Sequence, residues 1–139
     1  MKRLFYSIII CFIISGCSDD NNKPGIVGEW KLTEIYDGYA NGGNFTWTSV
    51  PDTYYEFINF TSNGQYFKSG DLDGTQTQCN GTYQLLPDNI LQIESSCQTV
   101  LVNHKIELTE KTLIIDIQVI EGVIRRKYTL TDAKYAIGK

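Results

Sequence analysis

The last part of the chain, residues 100–131, runs VLVNHKIELTEKTLIIDIQVIEGVIRRKYTLT. Apolar and polar residues alternate along it, with Leu113 and Ile115 on one side of an extended chain and Asp116 and Gln118 on the other. Successive side chains of a β-strand point to opposite faces of the sheet. The pattern therefore predicts strands with one buried and one solvated face.

Further stretches of this kind, separated by turn residues, precede this segment. Links such as Asn63-Gly64 and Glu121-Gly122 are short, and short links join antiparallel neighbours. A barrel or a sandwich would bury one face of each strand, but closure also removes the sheet edges. We therefore expect an all-β, eight-stranded antiparallel up-and-down barrel. Its predicted strands are 28–36, 54–61, 65–69, 79–86, 90–96, 100–109, 112–120 and 123–131.

Residues 1–16 have the layout of a secretory signal peptide: two basic residues, an apolar run from 4 to 14, and small residues at the end. The run is well short of the ~20 residues of a membrane-spanning helix. Ile14-Ser15-Gly16-Cys17 resembles the lipobox of bacterial lipoproteins. The resemblance implies cleavage before Cys17 and a lipid anchor of acyl chains, such as palmitate, on it. An ordinary signal peptide with a chance cysteine is the alternative.

Residues 17–25, CSDDNNKPG, form a predicted acidic flexible tether ahead of a barrel domain at 26–139. Asp19-Asp20 resembles the surface-export signal of Bacteroidota lipoproteins. That resemblance implies a lipid-anchored protein of the outer membrane, exposed at the cell surface. A polar spacer without an export role is the alternative.

The charge balance argues against a nucleic-acid partner. Loss of Lys2 and Arg3 with the signal peptide leaves ten basic residues against 16 acidic ones, a net charge of about −6. A basic groove for phosphates is not available from that balance. The expected partners are the membrane, through the lipid on Cys17, and a small apolar ligand or an unknown protein.

Two cysteines remain after Cys11 leaves with the signal peptide and Cys17 takes the lipid. Cys79 and Cys97 are equidistant from Asp88, in the middle of a predicted turn. A chain that folds back at this turn places them opposite each other, which predicts a disulfide in an oxidising compartment. Two free thiols or a redox pair are the alternatives, although the spacing is far from CxxC.

Gly28-Glu29-Trp30 resembles the G-x-W signature of lipocalins. Together with G-T-Y at 81–83 and Y-x-L at 128–130, it resembles the small lipocalin-like domains of Bacteroidota lipoproteins. The resemblance implies that Gly28 and Trp30 close one end of the barrel. It also implies that Trp30 packs under a basic residue of the last strand, Arg125 or Arg126.

Alternation places Arg126 and Tyr128 inside the barrel. The pair resembles the carboxylate-binding Arg and Tyr of fatty-acid-binding proteins. A buried Arg needs an anion, which is either a protein carboxylate such as Glu34 or a ligand headgroup. Stacking of Arg126 on Trp30 is the third interpretation.

The single histidine, His104, also falls on an apolar face. No nucleophile, orienting acid or set of metal ligands accompanies it in the sequence. We therefore expect a core or rim histidine, with no catalytic residues, no metal and no cofactor, in a protein that is not an enzyme.

The favoured function is binding of a small apolar or amphipathic ligand in the mouth of the barrel. The aromatic-rich link 37–52 would form a lid over it. The alternative is a structural or protein-interaction lipoprotein, inhibitor-like, with a filled barrel. The candidate ligand-binding residues are Tyr39, Phe45, Trp47, His104, Arg126 and Tyr128.

Overall fold

The computed structural model describes residues 25–72 and 75–131, which are β-structure apart from loops and one 3₁₀ turn at Pro87–Asn89. The predicted signal peptide, Cys17, the acidic tether up to residue 24 and residues 132–139 lie outside the described residues. Within the described part of the chain, no helix is long and apolar enough to cross a membrane. The strands are β1 (Gly28–Tyr39), β2 (Trp47–Ser49), β3 (Tyr55–Phe60), β4 (Gln65–Leu72), β5 (Thr75–Leu86), β6 (Ile90–Ser95), β7 (Val102–Leu108), β8 (Thr112–Val119) and β9 (Gly122–Leu130).

The strands form a closed barrel. From β3 to β9 each strand pairs antiparallel with the next, and β1 pairs with both β3 and β9. The predicted all-β, eight-stranded up-and-down barrel is thereby confirmed, with β1 and β3–β9 as its wall. The short strand β2 pairs with the second half of β1, at Glu34–Tyr36, beyond the segment that pairs with β3.

One end of the barrel is filled by the G-x-W motif. Trp30 is fully buried, and its register places it beside Ile58 and Leu130 on the flanking strands. Its indole Nε1 donates to the carbonyl of Ile26 at 2.8 Å, so its one polar group is satisfied. Gly28 has a φ of +144°, and a Cβ there would lie 2.7 Å from Leu130 Cδ1. These two restrictions explain the glycine of the motif.

The β5–β6 hairpin has the register that the sequence predicts. Asp88 and Asn89 adopt positive φ values of 61° and 57°, which suits a tight reversal. Cys79 and Cys97 form the predicted disulfide, with their Cα atoms 5.5 Å apart. The pairs along the hairpin include Leu85 with Leu91, Tyr83 with Ile93 and Gly81 with Ser95.

Two of the links between the predicted strands, residues 37–52 and 70–78, are partly strand. The 37–52 link contains the end of β1 and all of β2, and the 70–78 link is mostly the end of β4 and the start of β5. Residues such as Gln76 and Gln78 are polar, and the apolar alternation that marks a strand with one buried face is missing from this stretch. A strand end without a buried apolar face is therefore not visible in the hydrophobic pattern.

Candidate ligand-binding site

An interior cavity lies in the half of the barrel away from Trp30. Its volume is about 220 Å³, which is below the ~300–1,000 Å³ of pockets for drug-sized ligands. Lys68, His104 and Arg126 contribute polar atoms to its lining. This mixed lining suits a small ligand with one apolar and one polar part. The apolar walls include Ile58, Ile93, Ile115 and Ile117.

A buried carboxylate, Glu56 on β3, organises the charged side of the barrel interior and is only 2 % exposed. Nη1 of Arg126 donates to both of its oxygens, at 2.9 and 2.8 Å. The Tyr128 hydroxyl donates to Oε1 at 2.6 Å, and Lys68 Nζ lies 2.8 Å from Oε2. One carboxylate thus links the inward faces of β3, β4 and β9.

The charges of this cluster do not cancel. Burial alone raises the pKa of Glu56, but the charges of Arg126 and Lys68 outweigh that effect and hold the pKa below its usual value. Burial, followed by the nearby carboxylate, raises the pKa of both Tyr66 and Tyr128, so both phenols stay neutral. One carboxylate therefore faces two cations at neutral pH, and the cluster carries a net charge of about +1.

Arg126 also retains a free donor. Its Nε is buried and has no hydrogen-bond partner among the described residues. A guanidinium offers five N–H donors, and leaving a buried donor unsatisfied costs ~1–3 kcal/mol.

His104 lines the same cavity and is 9 % exposed. Its Nδ1 lies 3.1 Å from the carbonyl oxygen of Asp116. A carbonyl only accepts, so Nδ1 carries the proton and donates to it. Burial lowers the pKa of His104; the bond to Asp116 opposes this shift, while the charges of Arg126 and Lys68 add to it. The ring is therefore neutral at pH 7.

Three of the six residues predicted to contact a ligand, His104, Arg126 and Tyr128, are brought together around the cavity. Tyr39 and Phe45 lie elsewhere, with 38 % and 55 % of their surface exposed, and neither lines the cavity. The predicted aromatic lid is therefore not the part of the chain that forms this site.

Trp47 requires a correction, because it lies on the outer face of the barrel. It is paired with Tyr36 across β1 and β2, with ring centroids 5.6 Å apart. Lys127 Nζ and Arg125 Cζ lie 4.7 and 5.7 Å from its ring centre. These cations flank the inward Arg126 on β9 and therefore point outward.

The expected partners of Arg126 also require a correction. Arg126 pairs with Glu56, whereas Glu34 accepts a hydrogen bond from Lys127 at 2.7 Å. Among the described residues, the cation–π contacts of β9 involve Trp47 and not Trp30. Glu34 faces outward because of a register shift in β1 between residues 32 and 34, since one extra residue moves every later side chain to the opposite face. Trp30 precedes this shift and pairs with Leu130, four residues beyond Arg126.

Sequence reasoning missed Glu56, Lys68 and Tyr66 as site residues. A usable signal existed on β3, where Glu56 alternates with Ile58 and Phe60 and therefore belongs to the buried face. An acid at such a position needs a cation. The alternation along β3 does not indicate which cation pairs with Glu56 in the folded chain.

A larger depression of about 470 Å³ lies outside the barrel, against β5, β6 and the segment from 96 to 101. Its walls are mostly Ser, Thr, Asn and Gln side chains, with the exposed Val100 and Leu101 at one side. Glu94 is its one charged residue among those described, and no ion pair is formed there. The interior cavity is the stronger candidate, because buried charges and apolar walls meet in it.

An eight-stranded antiparallel up-and-down barrel belongs to the class of barrels whose interior is filled by side chains or holds one small ligand. A family model described as a lipocalin-like domain matches residues 26–115 of the chain. The chain belongs to this family. No curated protein and no solved structure matches it significantly.

Proposed function

We propose that this chain is a non-enzymatic lipoprotein that binds a small amphipathic molecule inside its barrel. The observation that carries the proposal is the interior cavity, whose lining combines isoleucine side chains with the cations Lys68 and Arg126. Burial of each ligand CH₂ on such walls contributes ~0.8 kcal/mol. The polar end of the ligand would meet the donors of Arg126 and Lys68.

A fragment from residue 24 to 139 is suited to the test, because the closed barrel and its buried core lie within residues 26–130. We expect native mass spectrometry after gentle purification to detect a retained small molecule. We also expect 1-hexanol to shift the methyl resonances of Ile58, Ile115 and Ile117 in a saturable way. Outer-surface methyls, such as those of Val100 and Ile120, should not move. An apo mass together with no saturable shift would reject a binding function.

The anchor is part of the same proposal. The lipobox-like residues that end in Cys17 and the acidic pair that follows support an outer-membrane lipoprotein exposed at the cell surface. Two or three acyl chains suffice for stable anchoring where one does not. We expect Cys17→Ser to move the protein from the membrane fraction to the soluble fraction. Unchanged fractionation would reject the anchor.

Surface exposure has its own test. Protease added to intact cells should degrade the unsubstituted protein, and the variant Asp19→Ala/Asp20→Ala should become protected. Protection of both proteins would reject surface exposure. Degradation of both, with an internal periplasmic control intact, would show that the acidic pair does not direct export.

A further inference from the structure

The geometry points to a ligand with a single carboxylate headgroup and a short apolar tail, held by Arg126 and Lys68 in the barrel cavity. This inference rests on the proposed binding function and specifies its ligand class. It follows from the net charge of the cluster, from the two cationic side chains in the lining and from the size of the cavity.

The net charge of the barrel interior favours a ligand with one negative charge. The charged groups of the cluster are Glu56 on β3, Lys68 on β4 and Arg126 on β9. The other titratable groups of this interior, among the described residues, are Tyr66, Tyr128 and His104, all neutral at pH 7. One monoanion would neutralise the net charge of about +1, a dianion would reverse it, and a cation would increase it.

The donor geometry favours a carboxylate. The hydrogen bonds of Arg126 to Glu56 all come from Nη1, and Arg126 and Lys68 both line the cavity. Adjacent N–H groups of a guanidinium match the two oxygens of a carboxylate. Lys68 Nζ carries three donors, and its recorded contact is with Glu56 alone among the described residues. A neutral alcohol would leave the net charge uncompensated.

The size of the cavity limits the tail. A volume of about 220 Å³ does not enclose a drug-sized molecule. Isoleucines 58, 93, 115 and 117 line it, so a short aliphatic chain would contact branched apolar side chains. Thr77 and Gln98 mark the end of the cavity remote from Trp30.

His104 provides an internal reporter of the bound charge. Glu56, Lys68, Arg126 and the two buried tyrosines are the ionisable groups around it in the described interior. An added carboxylate offsets the positive charges that depress its pKa. Binding of the anion should therefore raise the pKa of His104 and proceed with partial uptake of a proton, so affinity should increase as the pH falls toward 6.

The test compares two molecules with the same carbon chain, hexanoate and 1-hexanol, on the 24–139 fragment at pH 7.5. Dissociation constants come from the methyl shifts, and the imidazole resonances of His104 give its titration. We expect hexanoate to bind at least ~10-fold more tightly, as one charge-assisted hydrogen bond allows. We also expect only hexanoate to raise the pKa of His104.

The variant Lys68→Met removes the excess charge and keeps the neutral pair of Glu56 and Arg126. It should lose most of the preference for hexanoate over 1-hexanol, because removing the charge of Lys68 weakens binding of the anion more than binding of the alcohol. Lys31→Met is the matched control, because Lys31 is exposed on β1 outside the barrel. It should leave both dissociation constants unchanged, and thermal unfolding checks that each variant is folded.

The outcomes separate the two proposals. Equal or weaker binding of hexanoate, with 1-hexanol still bound, overturns the carboxylate inference and leaves the binding function standing. An unchanged preference in Lys68→Met also overturns it. Binding of neither molecule rejects both proposals.

Discussion

Replacement of Glu56 by Gln should be among the most damaging single substitutions in the barrel. The carboxylate is 2 % exposed, accepts hydrogen bonds from Arg126 and Tyr128, and forms an ion pair with Lys68. Gln keeps the size of the side chain but leaves two cations without an anion. Removing one partner of a buried ion pair costs ~3–5 kcal/mol. That is a large part of the ~5–15 kcal/mol that stabilises a typical domain.

The assay is urea unfolding of the oxidised 24–139 fragment, followed by far-UV circular dichroism and by tryptophan fluorescence. The midpoint should fall while the slope of the free energy against urea stays the same, because the surface exposed on unfolding is unchanged. Glu34→Gln is the matched control. Glu34 pairs with Lys127 on the outer face, is 32 % exposed, and should lose less than ~1 kcal/mol.

A rescue variant separates loss of charge balance from loss of packing. Glu56→Gln combined with Lys68→Met and Arg126→Met removes all three charges, and it should recover most of the lost stability. Similar losses in Glu56→Gln and Glu34→Gln would refute the argument. So would a triple variant less stable than Glu56→Gln alone.

Three other predictions concern stability. The pKa of His104 in the folded chain lies below 6.5. Its contribution to the free energy of unfolding should therefore be fully present above pH 6.5 and should be lost as the pH falls from 6.5 through the lowered pKa, because the unfolded chain binds the proton first. His104→Asn should reduce the change in the urea midpoint between pH 7 and pH 5, and an unchanged pH dependence of the midpoint would contradict this. Reduction of the Cys79–Cys97 disulfide should lower the free energy of unfolding by ~3 kcal/mol, as for a loop of similar length. Urea unfolding with and without a reductant measures this, and an unchanged midpoint would show that the bridge does not stabilise the fold. Gly81→Ala should cost ~1–3 kcal/mol in urea unfolding, because its Cβ would lie 1.9 Å from the carbonyl oxygen of Glu94; wild-type stability would show that the hairpin adjusts freely.

The local features of the fold could be predicted from the sequence. Strand alternation gave the faces of β7 and β8, and the turn at Asp88 gave the hairpin register and with it the disulfide. These features depend on residues close together in the chain. The inward position of Arg126 also followed from alternation along β9.

Only part of the candidate site could be predicted from the sequence. The Glu56–Arg126 pair joins residues 70 positions apart, and no local pattern connects them. The aromatic residues of the 37–52 link were assigned to a lid, but β2 pairs with β1 and places Trp47 outside the barrel. Pairing between strands decided that position, and aromatic content did not.

The sequence by itself determined an all-β chain with its turns, its disulfide and the inward-facing residues of its regular strands, because a period of two residues fixes the faces of each strand. The tertiary structure alone decided which inward charges meet. Closure of β9 on β1 brings Arg126 to the interior side that also holds Glu56 and Lys68. The register shift in β1 turns Glu34 outward, because one extra residue exchanges the two faces of a strand.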